Sequence, residues 1–120
     1  MQREIWYSHE GRVWHFHKGK FYIQTITKVE NGKPIEWGVE EKEGWINANG
    51  TYGFHKVKYN VWIATDIASG ARVAKAATRK ACAEFIDANK VIIQRAKESD
   101  DYKVICKRLF KIMNGVMLND

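Results

Sequence analysis

The chain has 120 residues, 45% of them hydrophobic, with one proline and nine glycines, a size and composition that fit one globular domain and argue against a disordered or low-complexity segment. Its net charge of +6 and pI near 9.4 favour anionic partners. No apolar run approaches the roughly 20 residues of a membrane-spanning helix, so no membrane partner is expected.

The opening Met1–Trp6 lacks the apolar stretch of a signal peptide, and a cytoplasmic location is the expectation. Residues Arg3 to Val39 read as a meander of strands. Ile5-Trp6-Tyr7 precedes a turn at Glu10-Gly11, Val13 to His17 precedes a turn at Lys18-Gly19-Lys20, and Phe21 to Val29 leads to Asn31-Gly32, the strongest short hairpin signal. Trp14 and Phe16 share one strand face and form the expected buried side, whereas Val13, His15 and His17 share the other. Pro34 places the next strand, Ile35 to Val39, near a sheet edge or after the proline.

Between Glu40 and Lys58, Gly44, Asn47, Asn49, Gly50 and Gly53 interrupt the aromatic residues before any period is established, which predicts a long loop. A strand from Val61 to Asp66 follows, then a three-residue turn in which Gly70 supplies positive φ, then a second strand. Asp66 is placed to accept backbone N–H bonds from that turn.

Thr78 is the expected N-cap of a helix running to Lys97, with Arg79 and Lys80 directly after it. Two cations at the positive end of a helix are locally unfavourable, and an anion beside them would remove the penalty. Cys82, Phe85, Ile86, Asn89, Ile92, Ile93 and Ala96 recur at helical spacing as its apolar stripe, broken only by Asn89. A buried amide there would cap a backbone defect, pair across an interface or read a ligand. Ser99-Asp100-Asp101 separates this helix from a second one, whose Tyr102, Ile105, Leu109, Ile112, Met113 and Val116 form another stripe. Lys103, Lys107 and Lys111, with Arg108 beside them, make a basic ridge along it.

The expected architecture is α+β: a single domain over 1–120, with residues 1–77 forming a twisted antiparallel sheet of four to six strands and loops. Residues 78–118 form two C-terminal helices packed on one face. Cys82 and Cys106 stand far from any CxxC spacing and are expected to fill space as free thiols. His9, His15 and His17 suggest a metal only superficially, since a third ligand and a supporting acid are not evident, and no metal site is assigned. No P-loop, HExxH, nucleophile elbow or paired-carboxylate pattern occurs, so neither a catalytic residue nor a cofactor is expected.

What remains is aromatic and cationic. Trp62 or Phe85 would stack a base, Asn89 would read its edge, and Arg79, Lys80, Lys103, Lys107 and Arg108 would hold phosphate, giving a non-enzymatic nucleotide binder. The alternatives are a small basic nucleic-acid-binding protein and a protein-binding inhibitor of a host enzyme.

An aromatic-rich antiparallel sheet followed by two helices, with the run from Trp62 to Gly70 and Thr78-Arg79-Lys80, resembles the Thoeris anti-defence sponge proteins of phages in layout across the whole chain. The resemblance implies sequestration of a cyclic ADP-ribose isomer or a cyclic oligonucleotide, without cleavage, by a homo-oligomer in the host cytoplasm. No ligand residue of that family is carried over to this chain.

Overall fold

The computed structural model describes residues 3–7 and 13–118, so His9 and the turn expected at Glu10-Gly11 lie outside the described residues. Six strands pair in chain order as one antiparallel sheet: β1 (Arg3–Tyr7), β2 (Val13–Glu30), β3 (Lys33–Asn47), β4 (Tyr52–Lys58), β5 (Val61–Asp66) and β6 (Ala71–Ala76). Three helices follow: α1 (Arg79–Ala88), α2 (Lys90–Lys97) and α3 (Asp100–Leu118). The protein is α+β, as expected from its pattern.

Strands β2 and β3 form one long ribbon closed by Asn31 (φ 52°) and Gly32 (φ 75°), the paired positive φ values of a two-residue hairpin turn. The turn expected at Lys18-Gly19-Lys20 does not occur, because Gly19 pairs with Gly44 inside the β2–β3 ladder. Nor is Glu40 to Lys58 a loop: β3 continues to Asn47, and only 48–51 separates it from β4. Gly44 and Gly53 serve packing instead of turning. A Cβ on Gly44 would run into the Phe54 carbonyl oxygen, and one on Gly53 would lie 2.6 Å from the Phe21 ring. In the true turn, Gly50 has φ 75° and donates its N–H to the Asn47 carbonyl at 2.9 Å, while the Asn47 side chain accepts from Tyr52 N–H at 2.9 Å.

The main core lies between the sheet and α1. Trp14 and Phe16 project from the same face of β2 with ring centres 5.7 Å apart, and Phe54 meets Phe16 edge-on at 5.1 Å. Ala64, Ala74, Cys82 and Ala83 are all buried around them, and their small side chains let α1 sit close against β5 and β6. Trp14 Nε1 donates to the buried Asp87 carboxylate at 2.8 Å, which satisfies the indole and ties β2 to α1.

Thr78 caps α1 as expected, its hydroxyl accepting from Ala81 N–H at 3.0 Å. The helix does not continue to Lys97, however. Asn89 adopts φ −112° and ψ 23°, and both its backbone N–H (3.0 Å) and its side-chain Nδ2 (2.9 Å) donate to the Phe85 carbonyl. A short amide that competes for backbone partners ends one helix and starts another. Three helices therefore replace the expected two. The expected stripe is divided with them: Cys82 and Ile86 are buried, whereas Phe85 and Ile92 are 47% and 66% exposed.

The distal part of the ribbon curls back over the β5–β6 turn and α3, and Gln24 fastens it there. Its backbone N–H donates to the Gly70 carbonyl at 2.9 Å, and its Nε2 donates to the carbonyls of Ser69 (2.7 Å) and Ile105 (2.8 Å). Its Oε1 accepts from Arg108 Nε at 2.7 Å, so every polar group of this amide is used. Gly70 has the expected positive φ of 70°, although the loop between β5 and β6 spans four residues, not three. Asp66, 3% exposed, fastens the same corner to the helices. Its Oδ2 accepts from Ser69 N–H (3.1 Å), Ser69 Oγ (2.7 Å) and Tyr102 OH (2.7 Å), and its Oδ1 lies 3.2 Å from Lys97 Nζ.

Candidate functional site

The clearest aromatic and cationic cluster lies where β2, β3, β4 and β5 pass the start of α1. Strand register builds it. Lys18 on β2 lies opposite Trp45 on β3, and Lys56 on β4 lies opposite Trp62 on β5, so each indole has a lysine as its cross-strand neighbour. The Thr78 cap sets the direction of the first turn of α1 and places Arg79 over both indoles. Its guanidinium carbon is 5.0 Å from the Trp45 ring centre and 5.1 Å from that of Trp62. Lys18 Nζ is 5.4 Å from the Trp45 ring centre. Such contacts contribute about 0.5–2 kcal/mol each and hold the cation in place.

Beside this stack is an open cleft of about 490 Å³ lined by Lys18, Lys20, Glu43, Trp45, Lys56 and Trp62 among others. Lys20 reaches Glu41 at 3.3 Å and Glu43 at 3.8 Å. The hydrogen bond and charge of Glu41, assisted by Glu43, hold the Lys20 ammonium above its ordinary pKa. Lys18, Lys20 and Lys56 set against Glu43, with Glu41 beside Lys20, leave the cleft positive. That arrangement suits an oxyanion on fixed charge.

The eight residues singled out from sequence do not converge on one place. Trp62 lines this cleft and Arg79 lies against its ring, while Lys80 is exposed on the next position of α1. Phe85 and Asn89 border a separate, largely apolar hollow of about 330 Å³ that also includes Ile92 and Tyr102. Lys107 and Arg108 border a third groove of about 450 Å³ against Ile35 and Trp37, and the Arg108 guanidinium lies 4.0 Å from the Trp37 ring centre. Lys103 lies 3.9 Å from Asp100 on the exposed side of α3. Lys18, Lys20, Trp45 and Lys56 are not among those eight. The alternation that puts Lys18 and Lys20 on one face was available, but Trp45 and Lys56 fell in the stretch expected to be a loop.

A larger hollow of about 530 Å³ lies between the start of β2, the β3–β4 turn and the helices, next to Asp87. Its lining is of mixed charge, with Lys90 and Lys97 beside that buried carboxylate. Among the described residues, no three His, Cys, Asp or Glu side chains gather as a metal site, and no helix is long and apolar enough to cross a membrane.

Four perturbed groups lie elsewhere. Burial pushes the Cys82 thiol up to about 11, which leaves it protonated and a poor nucleophile at neutral pH. Burial, and then the nearby Lys42, depress His55, with Glu40 opposing them weakly. Burial pulls the Lys97 ammonium down, but Asp66 and Tyr52 together outweigh it and leave its pKa raised. Burial, reinforced by Asp66 and Cys106, pushes the Tyr102 hydroxyl far up, so it remains a donor to Asp66.

Compared with protein-family models, curated proteins and solved structures, the chain matches none.

Proposed function

We propose that this protein is a non-enzymatic binder that sequesters an anionic nucleotide-type molecule, a cyclic ADP-ribose isomer or a cyclic oligonucleotide, in the cytoplasm. The observation that carries the reading is Arg79 held between Trp45 and Trp62 beside a cleft rimmed by Lys18, Lys20 and Lys56. A guanidinium seated on aromatic rings loses little freedom when an oxyanion arrives, and neighbouring cations supply long-range attraction. The layout resemblance to phage sponge proteins supports sequestration over turnover. Self-association belongs to the same proposal, supported by exposed Val91, Ile92 and Phe110, which are 64%, 66% and 67% accessible on the helices.

Calorimetric titration of the full chain with ADP-ribose isomers and cyclic oligonucleotides tests the reading. Binding in the micromolar range, with ligand recovered intact after long incubation, is the expected result. Affinities no tighter than millimolar across the panel overturn it. A second reading, nucleic-acid binding, draws on Lys103, Lys107 and Lys111, which are exposed along α3 outside the cleft. That reading requires affinity to fall by about one log unit per log unit of salt for each phosphate contacted, whereas one small ligand gives a shallow slope.

A further inference from the structure

We propose that the cleft recognises a diphosphate or polyphosphate group and is indifferent to the base or sugar attached to it. This inference rests on the anion-binding reading above and specifies the part of the ligand that is gripped.

Three observations point the same way. First, the aromatic surface is already in use. The Trp45 ring carries both Arg79 and Lys18 within 5.4 Å of its centre. Trp62 carries Arg79 and also packs against the buried core cluster. A base could stack on either indole only by displacing a cation, exchanging one ring contact for another with little gain. The tryptophans therefore position charge instead of reading a ring.

Second, no amide side chain is among the described residues lining this cleft. Asn89, the residue expected to read a base edge, lies in another hollow with its Nδ2 donating to the Phe85 carbonyl. A purine or pyrimidine entering here would find lysines and a carboxylate. These groups select charge well and discriminate poorly among bases.

Third, Lys20 is already shared between two carboxylates, Glu41 at 3.3 Å and Glu43 at 3.8 Å. Carboxylate oxygens thus occupy part of the place an entering phosphate oxygen would take. An incoming anion must compete with them for Lys20 and tolerate their repulsion. A singly charged phosphodiester gains little from that exchange. A diphosphate can engage Lys56 with one phosphate while the other competes for Lys18 and Lys20. The proposal therefore favours diphosphate-bearing ligands over rings made only of phosphodiesters.

The experiment is calorimetry at constant ionic strength with the full chain, using pyrophosphate, ADP, GDP, CDP, UDP, AMP and adenosine as probes. The four nucleoside diphosphates are expected to agree within about threefold, with pyrophosphate within about tenfold of them. AMP should bind about tenfold or more weakly, and adenosine should give no heat of binding. The Glu41→Gln/Glu43→Gln variant, altered only at exposed positions, should bind AMP about threefold or more tightly than the wild type. A spread above about tenfold among the diphosphates, or measurable adenosine binding, overturns base indifference while leaving the cleft as an anion site. Unchanged AMP affinity in the glutamine variant overturns the competition argument. If none of the phosphates binds, or if Lys18→Glu/Lys56→Glu leaves binding intact, the anion-binding reading falls and takes this inference with it.

Discussion

Replacing Asp66 by Asn tests whether one buried carboxylate fixes the helices to the sheet. Its side chain is 4% accessible and Lys97 is 22% accessible, so this ion pair is screened far less than a surface pair. Three donors converge on Oδ2, which obliges the asparagine to keep its oxygen there and turn its NH₂ group toward the Lys97 ammonium. Two donors then face each other. Breaking a fully buried pair costs about 3–5 kcal/mol, and the partial access of Lys97 to water lowers the expectation to about 2–3 kcal/mol. For a domain of this length that corresponds to a fall in Tm of about 8–12 °C. Urea unfolding followed by circular dichroism is the assay, with Lys97→Met and the double variant completing a cycle. The double variant should lose about 1 kcal/mol less than the sum of the single losses. An Asp66→Asn protein within about 0.5 kcal/mol of wild type, or strictly additive losses, would refute the reasoning.

Gly44→Ala should cost about 3 kcal/mol in the same assay because its Cβ meets the Phe54 carbonyl, whereas Gly115→Ala, which meets nothing within 4 Å on α3, should gain up to about 1 kcal/mol. Gln24→Ala should loosen the ribbon from the β5–β6 turn by about 2 kcal/mol and speed hydrogen exchange at the backbone N–H of position 24, which is bonded to the Gly70 carbonyl in the wild type. His55 is 6% exposed and its pKa is depressed by burial and Lys42, so the unfolded chain binds the proton more readily than the folded one. Stability should therefore fall as pH drops below about 6.5, and wild-type Tm should decline more than that of His55→Gln between about pH 7.5 and about pH 5.5. Parallel melting curves would contradict that assignment.

Local signals in the sequence were reliable where one residue type performs one local task. Asn31-Gly32 makes the ribbon turn, Thr78 caps α1, Gly70 takes positive φ, and alternation buries Trp14 with Phe16. Gly19, Gly44 and Gly53 mislead because the absence of a Cβ serves a close approach of a side chain, a backbone or a ring as readily as a turn, and only tertiary packing separates the two uses. The resulting loop assignment hid Trp45 and Lys56. Their partners Lys18 and Trp62 become neighbours through strand register, which no local spacing reports. Asn89 stood out as the polar break in an apolar stripe, and of its three candidate roles the cap is the one observed. Arg79 stands out in the sequence for its place at a helix start, whereas its contacts with a pair of rings from two different strands appear only in the fold.

The central claim concerns one location, and the five tryptophans of the chain allow it to be tested residue by residue. Nitrogen-15 correlation spectra recorded during titration with pyrophosphate resolve the indole N–H signals, assigned by single Trp→Phe variants. The account predicts saturable shifts of the Trp45 and Trp62 signals, with Trp14 in the core and Trp37 beneath Arg108 unmoved. Stationary Trp45 and Trp62 signals at saturating pyrophosphate, or shifts confined to Trp37, would contradict it.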